Sequence, residues 1–449
     1  MKRLVSLALL GVMLSSLALA MGTAPKVKPA NTNDWPSWRG PNANGVAPEG
    51  MDPPTKWSES SNIRWKAALA GSGSATPIVL GDQVIVLSAT PTERIAKPEE
   101  LPKPDPRFES KTTPPNRFYR FEISSYNRQD GSVLWRKTAN EAVPHEGHHP
   151  THSYAAGSPV TDGERFYACF GSFGLYAYDL KGELLWKRDL GRLRTRFGWG
   201  EAVTPVVHGD AVILNWDQEA DSKLIVLDKL TGSTKWEVTR DERSSWNTPF
   251  VVEQGDKTQI IINGTKRIRA HDLADGKVLW ETGGMTVNPI PSVVAEKGVA
   301  YIVSGYKGAA AVAVKLDAQG DLGESSDKIL WRYGKGTPYV PSPILVDGRL
   351  YMTKVNTQLL TVLNAATGKA LVEDMRLPKV TNFYGSPVAA KGRLYFADRD
   401  GNTVVLSSAE KPSVLAVNSL DDHFDASPAL SGKMLLLRGE KYLYAIEAP

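Results

Sequence analysis

The feature of this sequence that most constrains its fold is a short apolar strand that opens on a proline and recurs along the chain. The first two copies start 82 residues apart, and every later interval is 41 to 52 residues. A period in the forties is typical of β-propellers, in which each repeat forms one four-stranded blade. The sequence therefore predicts an all-β, eight-bladed propeller of antiparallel blades, with one proline opening each blade: Pro77, Pro159, Pro205, Pro249, Pro291, Pro343, Pro387 and Pro428.

Each copy has the same internal order. A second β-rich strand follows the proline strand, and a third strand ends in Asp or Asn, as in YAYD at Asp179. A glycine turn comes next, because glycine tolerates the positive φ of tight hairpins. The fourth, outermost strand commonly ends in tryptophan, whose flat ring can stack between neighbouring blades. We expect a structural role for six tryptophans: Trp65, Trp135, Trp186, Trp236, Trp280 and Trp331.

The two ends of the repeat region complement each other. The eighth copy stops after three strands, while NIRWKAAL (62–69) is a strand near the start that has no blade of its own. This strand can complete the eighth blade and leave no open sheet edge. We therefore predict a propeller over 62–449, with an insertion at about 90–118 in the first blade and with residues 35–61 packing on the ring.

The first 20 residues have the pattern of a secretory signal peptide, with Lys2 and Arg3, an apolar run, and Ala18-Leu19-Ala20 as a cleavage signal. An uncleaved anchor is the alternative. No cysteine follows the apolar run, so we expect no lipoprotein anchor. Residues 21–34 resemble a flexible linker, and no later segment is apolar enough to span a membrane. We expect a periplasmic or secreted protein.

Composition excludes several classes of protein. Lys plus Arg (53) nearly balances Asp plus Glu (49), so we expect no nucleic-acid partner. The one cysteine, Cys169, cannot form an internal disulfide or a CxxCH haem site. Because it stands in an apolar, aromatic run, we expect a buried structural thiol.

The Asp-to-Gly-to-Trp repeat resembles the pyrroloquinoline-quinone-type (PQQ-like) propeller repeat, over nearly the whole chain after the leader. That family includes quinoprotein alcohol dehydrogenases and the BamB-like outer-membrane assembly proteins, which are not enzymes. The segment DWPSWRGPNANGVAPEG (34–50) is also similar to the start of a group of exported PQQ-like propellers. The resemblance implies the fold; it does not choose a function, because one propeller architecture serves many functions.

Strand parity places the loops on two faces. In an up-down-up-down blade, the connection into the first strand and the connection between strands two and three share one face, here called the loop face. Aromatic and charged side chains that converge there predict a ligand-binding funnel. Its candidate residues are Trp199, Trp216, Asp217, Trp246, Asn288, Lys307, Tyr339, Lys354, Tyr384, Arg399, Asp425 and Arg438.

The stretch HEGHHPTHSY also falls on the loop face. It supplies four imidazoles, which together with a carboxylate could bind a divalent metal. Gly147 and Pro150 interrupt any helix there, and a solvated polar loop is the alternative interpretation. The candidate metal ligands are His145, His148, His149 and His152.

Two functional hypotheses follow. The first is a monomeric, non-catalytic binding or scaffold module that needs no cofactor and binds a protein or a polar ligand, such as a polysaccharide, at the cell envelope. The alternative is an enzyme, either dependent on PQQ or assisted by a divalent metal at the histidine loop. The family's quinone dehydrogenases imply a vicinal disulfide beside the cofactor, and one cysteine cannot form it. No sequence motif selects a catalytic residue.

Overall fold

The computed structural model describes residues 33–103 and 105–448. The predicted signal peptide and all but the last two residues of the predicted linker lie outside them. The described chain is all-β, with two single-turn 3₁₀-helices at Pro98–Glu100 and Gly171–Phe173. Among the described residues, no helix has the length and apolar character needed to cross a membrane.

The strands form eight sheets, one for each proline repeat, so the predicted eight-bladed propeller is confirmed. Strands are given for each blade from the inside outward. Blade 1 has Ile78–Leu80, Gln83–Ile95, Arg117–Asn127 and Val133–Ala142, and blade 2 has Val160–Thr161, Arg165–Cys169, Leu175–Asp179 and Leu184–Arg188. Blade 3 has Val206–His208, Ala211–Trp216, Lys223–Asp228 and Thr234–Thr239, and blade 4 has Phe250–Gln254, Lys257–Ile262, Arg267–Asp272 and Val278–Gly283. Blade 5 has Val294–Glu296, Val299–Ser304, Ala310–Lys315 and Ile329–Tyr333, and blade 6 has Ile344–Val346, Arg349–Thr353, Leu359–Asn364 and Ala370–Arg376. Blade 7 has Val388–Ala390, Arg393–Ala397, Asn402–Ser407 and Val414–Ser419, and blade 8 has Ala429–Ser431, Met434–Arg438, Tyr442–Ile446 and Ile63–Ala68.

Blade 8 combines strands from the two ends of the repeat region. Its outer strand, Ile63–Ala68, pairs antiparallel with Tyr442–Ile446, with Lys66 opposite Tyr444. Blade 4 departs from the expected pattern because it has a fifth strand. Gly320–Leu322, from the inserted turn of blade 5, pairs parallel with Val278–Gly283 and leaves Trp280 fully buried.

Five of the six outer-strand tryptophans, all except Trp280, lie against the glycine turn of the next blade. Trp186 of blade 2 donates its indole N–H to Lys229 O of blade 3 at 3.0 Å. Its ring lies 2.7 Å from where a Cβ on Gly232 would be, and Gly232 has a φ of 71°. Two reasons therefore require glycine at this position: the positive φ of the turn, and the closeness of the indole, which leaves no room for a side chain.

A second set of contacts joins the blades near the central channel. Just before each innermost strand stands a Ser or Thr, and in all blades but blade 3 its backbone N–H donates to the hydroxyl of the corresponding residue in the next blade. Seven such bonds, of 2.8 to 3.2 Å, are present. We call this set the hydroxyl ring: Thr76, Ser158, Thr204, Thr248, Ser292, Ser342, Ser386 and Ser427.

Residues 34–50, here called the plug, lie against the inner strands of several blades. Trp35 exchanges two backbone hydrogen bonds with Val79 of blade 1, each 2.9 Å long. Val46 forms a parallel bridge with Ala389 of blade 7. The Arg39 guanidinium donates to Pro343 O at 2.8 Å and Pro387 O at 3.1 Å. The plug therefore ties together blades that are far apart in sequence.

The insertion of blade 1 extends its second and third strands and then folds over the loop face. Ser110 forms a parallel bridge with Phe197, and the Thr112 hydroxyl donates to Gly198 O at 2.7 Å. These contacts fix the insertion against the loop that leads into blade 3.

Candidate functional site

A cavity of about 330 Å³ lies at the loop-face end of the central channel. We call it the funnel cavity. It is lined by residues of the lead-in loops, by residues of two connections between second and third strands, and by the plug. The lining residues are Trp38, Ser74, Thr76, His149, Thr151, His152, Ala156, Ser158, Trp199, Ala202, Thr204, Trp246, Thr248, Ile290, Tyr306, Tyr339, Val340, Asn356, Tyr384, Ser386, Asp425 and Ser427.

An aromatic wall covers one side of the funnel cavity. Tyr306 and Tyr339 stack at 4.6 Å between ring centroids, and Trp199 meets Tyr306 edge-on at 6.2 Å. Trp246 is fixed by its indole N–H, which donates to Gly200 O at 2.8 Å. These rings come from lead-in loops, except for Tyr306, which comes from the connection between strands two and three of blade 5. The wall therefore presents a ligand with aromatic rings that are held by contacts with one another and with the backbone.

Histidines and hydroxyls continue the wall. His149 Nδ1 lies 2.8 Å from the Thr151 hydroxyl, which lies 3.2 Å from the Tyr384 hydroxyl. Burial lowers the pKa of His152 to about 4 and also lowers the pKa of His149. Both imidazoles are therefore neutral at pH 7 and can donate or accept hydrogen bonds.

Asp425 is the one carboxylate among the described lining residues, and its charge is already compensated. Arg399 donates to it through Nε at 2.6 Å and Nη2 at 3.2 Å, and His423 Nε2 lies 3.2 Å away. Hydrogen bonds and attraction from His423 and Arg399 outweigh the effect of burial and lower the pKa of Asp425. The Arg399 guanidinium also lies over the Tyr384 ring, 4.1 Å from its centroid. The funnel cavity is thus close to electrically neutral.

The floor of the funnel cavity is made by Trp38 of the plug and by members of the hydroxyl ring. Trp38 donates its indole N–H to Ser427 Oγ at 3.0 Å. Six ring hydroxyls line the cavity, and each can still donate its own proton, since accepting a backbone N–H uses only a lone pair.

Five of the predicted funnel residues line this cavity: Trp199, Trp246, Tyr339, Tyr384 and Asp425. Arg399 does not line the cavity; it contacts the lining residues Asp425 and Tyr384. Asn288 lies behind the wall, where its Oδ1 accepts from Arg196 at 3.2 Å. Lys307 is exposed next to Tyr306, and Lys354 pairs with Asp374 at 3.4 Å; neither lines the cavity.

Three predicted funnel residues are buried between blades. Trp216 packs in the apolar core shared by blades 2 and 3. Asp217 forms a buried ion pair with Arg240 at 2.8 Å. Arg438 is 2 % exposed, and its guanidinium donates to Ala75 O at 3.3 Å. Each stands at or near the end of a second strand, where parity gives the face of a loop but not the direction of its side chains.

The four candidate metal ligands point to different surroundings. His145 is buried with Nε2 at 2.9 Å from Leu193 O, and burial lowers its pKa to about 4. His148 Nδ1 contacts the backbone of its own loop, and His149 and His152 face the funnel cavity. In the part of the chain that the structure describes, no group of three or more His, Cys, Asp or Glu is arranged to hold a metal ion.

A buried carboxylate cluster lies behind the histidine loop. Glu201 accepts from the Ser172 backbone N–H at 2.6 Å and from its hydroxyl at 2.8 Å. Burial raises the pKa of Glu201 to about 8. Glu146 lies nearby, accepting from the Thr195 hydroxyl at 3.0 Å. These bonds brace the loops behind the site.

PQQ, the cofactor that the fold family implies, is a polycarboxylate, so it needs cations around it. The described residues that line the funnel cavity include no Lys or Arg, and the pKa values of both lining histidines are lowered. The lining carboxylate, Asp425, is held by Arg399 and His423. The residues present do not fit the cofactor.

Some site residues were not predicted from the sequence. Trp38 belongs to a segment without repeat register, so its position could not be counted from the propeller pattern. Tyr306 stands next to Lys307, which parity assigned to the loop face. The ring hydroxyls had a signal, because a Ser or Thr directly precedes the strand-opening proline in seven of the eight copies.

Comparisons with known proteins agree with this architecture. Residues 120–320 match the family model described as outer membrane protein assembly factor BamB. BamB from Moraxella catarrhalis is 14% identical with a TM-score of 0.52, over 80% of this chain and 97% of that one. No curated protein matches the chain.

Two dehydrogenase structures are also similar. The quinohemoprotein alcohol dehydrogenase from Comamonas testosteroni is 11% identical with a TM-score of 0.62, over 94% of this chain and 82% of that one. A europium-containing methanol dehydrogenase is 10% identical with a TM-score of 0.56, over 91% and 89%. At these identities the likeness concerns the fold alone. With its eight repeat blades and with residues 120–320 matching the BamB family model, the chain has the fold of the PQQ-like β-propellers.

Proposed function

We propose that this protein is an exported, non-catalytic binding module whose funnel cavity holds an uncharged, oxygen-rich ligand, and that carbohydrate is the class that fits best. The observation that carries the proposal is one cavity with an aromatic wall and a floor of hydroxyl donors. Ligand sites combine an apolar enclosure with a few converging polar groups in this way.

The two surfaces match the two sides of a pyranose ring. The C–H faces of a sugar can pack on flat rings such as Tyr339 and Trp199. Its hydroxyl and ring oxygens can accept from hydroxyls of the floor, such as Ser158 and Thr204, and its hydroxyl protons can be donated to Asp425.

The charges of the residues that line the cavity favour an uncharged ligand. A carboxylate or phosphate would find no lining Lys or Arg among the described residues of the cavity, and the lining histidines are neutral at pH 7. A cation would compete with Arg399 for Asp425, whose two oxygens both accept from that guanidinium. Burying an unpaired charge is costly, so the cavity favours neutral molecules.

The proposal places the protein at the cell envelope. The signal pattern of residues 1–20 supports export, and the matching family model is described as an outer membrane assembly factor. The loop face around the cavity would then be the surface that meets a saccharide or a protein bearing one.

Calorimetric titration of the mature protein with neutral mono- and disaccharides tests the proposal. Tyr339→Ala removes part of the wall and should weaken binding at least about tenfold, as expected when a central aromatic contact is lost. Tyr333→Ala is the matched control, because Tyr333 lies in the outer strand of blade 5, just before the loop that holds Tyr339, and donates to Glu373 instead of lining the cavity. Equal loss of binding in both variants, or tighter binding of charged than of neutral sugars, would contradict the proposal.

A further inference from the structure

We infer that the funnel cavity is blind and receives the end of a saccharide chain, with Trp38 as the residue that sets how much of the chain enters. This inference rests on the proposed function and adds to it the form of the ligand and a residue that determines specificity.

Trp38 is held from several directions. Its indole N–H donates to Ser427 Oγ at 3.0 Å, and that hydroxyl also accepts from the Ser386 backbone N–H at 2.8 Å. The next residue, Arg39, is 3% exposed and donates to backbone carbonyls of blades 6 and 7. The floor is therefore a fixed part of the fold, not a side chain resting loosely in the channel.

Space continues behind the indole. A second cavity of about 80 Å³ lies between the plug and the inner strands of blades 2 to 5. Trp38, Thr204 and Thr248 line both cavities. Because the two threonines belong to the wall of the channel, the indole is the part of the plug that separates the two spaces.

A blind cavity has a consequence for a linear polymer. A chain can pass through an open channel or lie along an open groove at any point in its length. A closed floor inside a ring of blades admits only a terminus, which enters until it meets the indole. Sugar units beyond the rim then add few contacts, and affinity should stop rising with chain length.

The test uses linear malto-, cello- and chitooligosaccharides of two to six units, with α-cyclodextrin as a glucan that has no ends. For a series that binds, wild-type affinity should rise over the first units and then stay within about twofold. If maltooligosaccharides bind, α-cyclodextrin should bind at least about tenfold more weakly than maltohexaose.

Two variants test the role of Trp38. Trp38→Ala should join the two cavities, so that the plateau moves to a longer oligomer. Trp38→Phe keeps a ring as the floor and should keep the wild-type plateau, while losing the bond to Ser427. The wild-type series decides the question of chain ends even if Trp38→Ala fails to fold.

The outcomes separate the two claims. If no oligosaccharide binds, the proposed function and this inference both fail. If saccharides bind, but affinity keeps rising through six units or α-cyclodextrin binds as well as maltohexaose, the proposed function stands and end recognition is overturned. A plateau unchanged in a folded Trp38→Ala variant overturns the role of Trp38.

Discussion

At the scale of single residues, Glu201 is a buried carboxyl group whose environment favours its neutral form. Its side chain is 13% exposed, and burial raises its pKa from 4.5 to about 8. The folded protein therefore binds a proton that the unfolded chain releases above pH 4.5. This contribution to stability is fully present below the unfolded pKa and is lost as pH rises through the folded pKa.

We predict that Glu201→Gln flattens the pH dependence of stability. Wild-type protein should lose on the order of 3 kcal/mol through this group between pH 5 and 8, and the variant should lose correspondingly less. Urea unfolding at several pH values measures the difference. Glu410→Gln, at an exposed position, is the control and should follow the wild type; parallel curves for wild type and Glu201→Gln would refute the prediction.

A pair of glycines in blade 3 separates conformation from packing. Both have positive φ, but a Cβ on Gly209 would meet nothing within 4 Å, whereas one on Gly232 would meet the Trp186 ring at 2.7 Å. Gly209→Ala should cost about 1 kcal/mol for backbone strain, and Gly232→Ala about 2–4 kcal/mol because the indole must move. Equal urea midpoints would show that the indole adapts at no cost.

At the scale of elements, the hydroxyl ring joins blades whose inner strands are only two to five residues long. Ser342 is 2% exposed, and its hydroxyl accepts from the Ser292 N–H at 2.9 Å. Ser342→Ala leaves that buried donor without its partner and should cost about 1–3 kcal/mol. Ser342→Thr keeps the hydroxyl and should cost less; thermal unfolding compares the two, and equal losses would assign the effect to packing.

The repeats explain why strands could be predicted so fully from sequence and the site only in part. Proline, glycine and tryptophan act locally, so the order of strands follows from their spacing. The parallel strand Gly320–Leu322 has no such mark, because its pairing depends on where an inserted turn happens to fold. Tyr384 and Trp199, which parity assigned to the loop face, line the funnel cavity, but the directions of Trp216 and Asp217 depend on packing between blades. The position of Trp38 depends on tertiary contacts between the plug and the blades, which no local sequence pattern marks.

At the scale of the whole molecule, the ring is closed by pairing Ile63–Ala68 with Tyr442–Ile446. We predict that a chain starting at residue 69 self-associates, because the third strand of blade 8 becomes an exposed edge. A chain starting at residue 62 is the matched control, since it also lacks the plug but keeps this strand. Light scattering after size exclusion measures both; a monomeric chain from residue 69 would contradict the prediction.

The position of that closing strand also bears on the order of folding events during synthesis. The strand that completes the last blade, Ile63–Ala68, is made before every other blade strand, whereas its partner, Tyr442–Ile446, is made after them. Pairing between such distant segments is slow compared with local hairpins. Blades 1 to 7 can each form as their residues emerge, but the circle cannot close until the final strand arrives. Until then, an open arc with unpaired edges is the species that folding helpers would have to protect.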